Sequence, residues 1–166
     1  GISTKHYKLD PGEIRPLGSQ SLINPKRVDR EKGLESGIFI NDQITINEKL
    51  TVNIGARYSY FISLGEASQN IYGDGLPISE ATLVETKSFK NNEVIKAYGG
   101  FEPRISARFK LSEDMAIKGG YDKTYQYLHL LSSNTTQSPL DTWKTSDLNV
   151  KPQSATQYSL GLYKNF

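Results

Sequence analysis

The sequence contains no cysteine, one methionine, one tryptophan and two histidines in 166 residues. Without cysteine there are no disulfides and no thiolate metal sites, and the redox compartment stays open. His6 and His129 lie far apart in the chain, and no HExxH, GxSxG or phosphate-binding glycine loop occurs, so no catalytic constellation is present. Asn70-Ile71-Tyr72-Gly73-Asp74-Gly75 lacks the ligand spacing of a calcium loop. These absences argue against an enzyme and imply neither a metal nor a cofactor. No run approaches the roughly 18 apolar residues that a membrane helix needs. Gly1-Ile2-Ser3-Thr4-Lys5 lacks the charged-then-apolar pattern of a signal peptide, so the chain is either processed or begins partway through a longer one. A formal charge of +2 is too small to imply nucleic acid or an anionic surface.

Glycine (14) and tyrosine (10) are plentiful, and Ser, Thr, Asn and Gln fill much of the rest. Mean hydropathy is negative, which argues against a helical membrane protein but not against a barrel, whose strands need an apolar residue only at alternate positions. That alternation is present. Phe101, Pro103, Ile105, Ala107, Phe109 and Leu111 fall on one side of a strand, with Glu102, Arg104, Ser106, Arg108 and Lys110 on the other. Leu50, Val52, Ile54, Ala56, Tyr58 and Tyr60 alternate with Thr51, Asn53, Gly55, Arg57 and Ser59. Ile38, Ile40, Ile44 and Ile46 share a side on which Asp42 is the one misfit. Met115, Ile117, Gly119 and Tyr121 alternate with Ala116, Lys118, Gly120 and Asp122, and Tyr158, Leu160 and Leu162 with Gln157, Ser159 and Gly161.

Asn47-Glu48-Lys49 and Ser112-Glu113-Asp114 are tight polar turns. Longer polar stretches lie between and before these hairpins, so connections run long, short, long, short, long. The expected strands cover about 36–46, 50–62, 100–111, 115–128 and 156–166, with long loops at about 63–99 and 130–155 and an opening loop over 1–33. A transmembrane barrel predicts this asymmetry, with short periplasmic and long outer connections. Tyr58, Tyr60, Phe61, Tyr125 and Tyr127 fall near the long-loop ends, where an interfacial girdle sits. From periodicity alone, a soluble β-sandwich or small barrel fits equally well.

Three groups of residues resemble the barrel of TonB-dependent outer-membrane receptors, especially those of Bacteroidota. Gly33-Leu34-Glu35-Ser36-Gly37-Ile38-Phe39-Ile40-Asn41-Asp42 leads into Leu50-Thr51-Val52-Asn53-Ile54-Gly55-Ala56-Arg57-Tyr58, similar to the family's strand, turn and G-x-R-Y strand. Phe101-Glu102-Pro103-Arg104-Ile105-Ser106 precedes Lys118-Gly119-Gly120-Tyr121-Asp122-Lys123. Tyr125-Gln126-Tyr127-Leu128-His129-Leu130 is followed by Asp141-Thr142-Trp143 and then Lys151-Pro152-Gln153-Ser154-Ala155-Thr156-Gln157-Tyr158-Ser159-Leu160-Gly161. The resemblance covers most of residues 33–166. It implies an all-β fold, an antiparallel transmembrane β-barrel segment with about five strands of a plugged barrel of about 22 and long extracellular loops. Residues 34–166 would be partial barrel.

The implied role is wall and loops of an outer-membrane transporter that imports a nutrient (siderophore, glycan or peptide) using inner-membrane energy. Implied partners are the plug and remaining strands of the same receptor, outer-membrane lipid, TonB acting through an N-terminal part not in this sequence, and a surface lipoprotein if glycans are the cargo. The alternatives are a soluble carbohydrate-binding β-sandwich and a passive porin or adhesin barrel.

Arg57, Glu102, Arg104, Arg108 and Lys118 are the expected lumen-facing wall, where an ion-pair network is the structural reading and contact with plug or solute the functional one. Trp143, with Asp141 and Lys144 beside it, is the best ligand-contact candidate, because an exposed aromatic can stack on a sugar or siderophore ring. Tyr72, in the other long loop, is a further candidate. His129 near a strand end fits loop packing better than a metal site.

Overall fold

The computed structural model describes residues 1–10, 12–14, 26–27, 29–131 and 142–165. Twelve strands run in chain order: β1 (Ile2–Leu9), β2 (Glu13–Ile14), β3 (Lys26–Arg27), β4 (Glu31–Thr45), β5 (Leu50–Leu64), β6 (Ala67–Tyr72), β7 (Leu83–Phe89), β8 (Val94–Lys110), β9 (Met115–Gln126), β10 (Leu128–Leu131), β11 (Thr142–Thr145) and β12 (Gln153–Lys164). A single 3₁₀ turn, Glu80–Thr82, is the one helical element among the described residues. Six of the strands form one antiparallel sheet in the order β1-β4-β5-β8-β9-β12, and β2-β3, β6-β7 and β10-β11 form separate two-stranded pairs. The sheet is open, with β1 and β12 at its edges.

Side-chain alternation sets the two faces of this sheet. The register aligns Ile54 with Ile105 and Ile105 with Tyr121, which in turn faces Tyr158. A parallel row joins Leu50, Phe109, Ile117 and Leu162. One face is therefore a continuous apolar surface, and it is bare: Ile38 is 62% exposed, Ile105 48% and Leu160 84%. The buried positions of the sheet lie on the opposite, polar face and include Gly33, Gly37, Ser59, Ser63, Gly100 and Glu102. A soluble sandwich requires the reverse, apolar groups inside and polar groups out. From Leu50 to Tyr60, β5 advances about 34 Å at about 3.4 Å per residue. At the strand tilt of roughly 40° usual in membrane barrels, this becomes about 25 Å of height, the thickness of their apolar band.

Turn chemistry fixes the short-turn end. The Asn47 side-chain oxygen accepts hydrogen bonds from the backbone N–H groups of Lys49 and Leu50, both at 2.9 Å, an Asx-type closure that sets the β4–β5 register. In the β8–β9 turn, the Ser112 hydroxyl donates to Asp114 at 2.6 Å, and the Leu111 N–H to the Met115 carbonyl at 2.9 Å.

The structure departs from the expected strand map at the other end. The opening stretch expected as a loop over 1–33 contains β1, which pairs with β4 from Ile2↔Ile38 to Leu9↔Glu31. Neither face of Ile2–Leu9 is apolar, because it pairs with the half of β4 that rises past the apolar band, and alternation has nothing to mark there. For the same reason β4 begins at Glu31 and β8 at Val94, earlier than the apolar pattern starts. The sheet thus has six strands where the pattern shows five. The expected loop at 63–99 holds the β6-β7 hairpin, and that at 130–155 holds β11.

Candidate functional site

At the long-connection end, the polar face carries a small aromatic cluster. Phe61 is fully buried and stacks on Tyr127 with ring centroids 5.0 Å apart and planes at 9°, while Tyr7 tilts against it at 6.2 Å. Gly33 makes this possible, since a Cβ there would come within 2.7 Å of the Phe61 ring. The Tyr127 hydroxyl sits 2.8 Å from the Ser59 hydroxyl. Phe61 and Tyr127 were expected in an interfacial girdle, and the structure corrects both. Phe61 falls on the polar side of β5 by strict alternation. Tyr127 lies beyond the end of β9, between β9 and β10, where the face assigned from Tyr121 no longer carries over. Tyr58 and Tyr60 do lie on the apolar face, 48% and 43% exposed.

Below this cluster, ion pairs knit neighbouring strands. Arg57 reaches Glu35 at 3.1 Å and Glu102 at 3.5 Å. Its guanidinium lies over Gly37, where a Cβ would approach to 2.8 Å, so a side chain at 37 would push Arg57 off Glu35. Glu35 also accepts from the Tyr7 hydroxyl at 2.7 Å and pairs with Lys5 at 3.8 Å. Arg104 pairs with Asp122 at 2.9 Å. Of the five wall residues picked out in the sequence, Arg57, Glu102 and Arg104 enter this network. Arg108 and Lys118 face each other across β8 and β9.

The stretch from Thr142 to Val150 folds onto the same face and is fastened there. Lys144 Nζ lies 2.7 Å from both Glu31 Oε1 and Asp147 Oδ2. Glu31 Oε2 accepts from the Thr145 N–H at 2.6 Å and its hydroxyl at 2.9 Å. Burial works against the charge on Lys144, but the hydrogen bonds it donates to Asp147 and Glu31 outweigh it and hold its pKa above the ordinary value. Asp147 Oδ1 caps the N–H groups of Asn149 and Val150 at 2.8 Å each, and its carbonyl accepts from the Tyr98 hydroxyl at 2.6 Å. Asn149 donates to the Asn70 carbonyl at 3.1 Å, tying this segment to the β6-β7 hairpin. His129 and Ser146, both buried, share a 2.9 Å hydrogen bond, and burial pushes the His129 pKa down against the opposing pull of Asp147. Three stretches distant in sequence therefore meet in one rim.

Trp143 lies in β11 opposite Leu130 and is half exposed, and Tyr72 ends β6. No hydrogen bond or ring contact joins these two among the described residues. Asp141 lies outside the described residues. Reading the sequence for sites missed Glu31, Glu35, Ser146 and Asp147. The ion pair of Lys144 with Asp147 has a faint sequence signal in their three-residue spacing, but Glu31 lies 113 positions away and carries none.

A sheet of long antiparallel strands, bare and apolar on one face, polar and charged on the other, with tight turns at one end, is the wall of a membrane β-barrel. The family model described as "TonB dependent receptor-like, beta-barrel" matches residues 4–166, and the chain belongs to that family. The family's barrels reside in the outer membrane and serve transport. No curated protein and no solved structure matches the chain.

Two outcomes test the rim. Glu31→Ala removes an acceptor used by Lys144 and Thr145, a local loss of about 1–3 kcal/mol. Amide hydrogen exchange over 142–150 in the full receptor is expected to accelerate by roughly tenfold or more, with Glu48→Ala in a short turn as the silent control. Because the docked His129 has a lowered pKa, the undocked state binds more protons below about pH 6.5. Rim stability therefore rises with pH through that window and weakens as pH falls below the ordinary histidine value. Exchange rates, corrected for intrinsic pH dependence, follow this slope, and His129→Gln flattens it.

Proposed function

We propose that this chain supplies six wall strands and part of the outer rim of a Bacteroidota-type TonB-dependent transporter that imports a nutrient (siderophore, glycan or peptide) across the outer membrane. The observation that carries the reading is the inverted burial of the main sheet: its apolar face is bare, while Ser59, Phe61, Ser63, Gly100 and Glu102 are buried on its polar face toward the long connections. Only a solvent that is itself apolar makes that arrangement stable. In this reading the long connections face outward, and the short turns at 47–49 and 112–114 face the periplasm. Arg57, Glu102, Arg104, Arg108 and Lys118 line the lumen.

The chain performs no bond chemistry in this role. The rim fastened through Glu31, Lys144 and Asp147 holds the strand ends in register and sets where Trp143 and Tyr72 stand as candidate ligand contacts. Energy for uptake comes through a plug and TonB, the general partners of the family, and a surface lipoprotein caps the barrel if the cargo is a glycan. A soluble carbohydrate-binding sandwich would have to leave Ile38, Ile54, Ile105 and Leu160 in water.

The direct test is the size and partitioning of the native polypeptide that contains these residues. A chain several times longer than 166 residues, released from the outer membrane only by detergent, supports the proposal. A free, detergent-independent species of this length overturns it. At residue level, Ile105→Arg places a charge on the apolar face and is expected to cost about 2–4 kcal/mol of barrel stability. Ser106→Arg, on the polar face, is much milder. Folding yield into lipid vesicles, read by heat-modifiable gel mobility, separates the two, and equal damage from both contradicts the assignment of faces.

A further inference from the structure

Cations on the polar face fall into two groups. Toward the rim, Lys5, Arg57, Arg104 and Lys144 each have a carboxylate within 4 Å. Toward the short turns, Arg108 and Lys118 have none among the described residues, although they stand directly opposite each other on β8 and β9. Cross-strand partners at such positions have Cβ atoms about 5 Å apart, and like charges there repel. Lys110, the next polar-face position on β8, adds a third cation, and it too is exposed and without a carboxylate. Their register neighbours on this face are neutral: Thr51 and Gly161 flank the pair, with Ser106 and Gly120 in the adjoining row. The nearest acids in sequence are Glu113 and Asp114, exposed in the turn beyond the strands, and Asp122, which pairs with Arg104 at 2.9 Å.

We infer that Arg108 and Lys118, with Lys110, form a docking patch for carboxylate side chains on the polypeptide plug that fills the barrel. The inference rests on the barrel reading above. In barrels of about 22 strands the lumen is plugged, so this stretch of wall faces protein instead of bulk water. A cation pair withdrawn from water is stable only against a fixed counter-charge, and the described residues of these six strands supply none within 4 Å. A passing anionic solute would neutralise the pair only while bound. An acidic plug surface neutralises it permanently, and Arg108 adds the planar fork that binds a carboxylate in two-pronged geometry.

The experiment uses the full receptor purified in detergent. Zero-length carbodiimide coupling joins an amine to a carboxylate already in contact with it, and peptide mass mapping identifies the pair. Coupling of Lys118 to an Asp or Glu of the plug supports the inference. Coupling of Lys118 to a wall carboxylate, free acetylation by a small water-soluble amine reagent, or inertness to both overturns it. Charge reversal gives a second readout: R108E/K118E is expected to speed hydrogen exchange of the facing plug segment about tenfold, and an unchanged rate overturns the inference. If the peptide map contains no plug, the transporter reading itself fails. A plug that is present while Lys118 is freely acetylated leaves that reading intact and removes only the docking patch.

Discussion

Hydrocarbon offers no partner to a peptide N–H or C=O, and this constraint orders everything else in the structure. Each backbone group that crosses the apolar band must bond to a neighbouring strand. The sheet therefore depends on long, gap-free antiparallel ladders, such as the fourteen-position register from Lys32↔Leu64 to Thr45↔Thr51. Once the ladder is continuous, side chains have only two directions. Those facing lipid must be apolar over the band, while those facing inward are free to carry charge. Gly37 and Gly55 show how tightly the inward face is used. A Cβ at either would strike a neighbouring side chain, the Arg57 guanidinium or the Asn41 amide, so absent side chains make room for polar ones that bridge strands.

The ladder alone does not fix the ends of the strands. Above the band, water is available again and hydrogen bonds to a neighbour strand are no longer obligatory, so order must come from side chains. Phe61 and Tyr127 supply a dry contact, and Glu31 fastens the Thr142–Val150 stretch by three short hydrogen bonds. These groups are buried or part-buried and bonded to one another, and networks of that kind specify one geometry sharply because any lost partner leaves a desolvated polar group behind. The rim is thus a polar core at the mouth of an apolar wall.

This division explains what could be read from the sequence. The faces of β4, β5, β8, β9 and β12 were legible, including the misfit Asp42, which shares a row with Ile54, Ile105 and Tyr121. Within the band, lipid imposes a two-residue period that nothing else overrides. Outside it the period loses its cause. β1 has polar residues on both faces and went unseen, and Phe61 was placed by its position near a strand end when its parity already pointed inward. Glu31 could not be recognised, since its partners are brought to it only by the folding-in of a distant loop.

Charge follows the same axial division. Near the rim the polar face holds acids and bases together, and Arg57 sits between two carboxylates. Near the short turns it holds bases alone. If wall charges served only to keep strands together, cross-strand pairs of opposite sign would be expected along the whole height, because directly opposed like charges weaken a sheet. The ladder at Arg108↔Lys118 tolerates the repulsion because hydrogen bonding, and not side-chain attraction, holds the strands there. The wall is therefore able to keep its lower charges for something outside itself, whereas the upper charges are consumed in holding the rim.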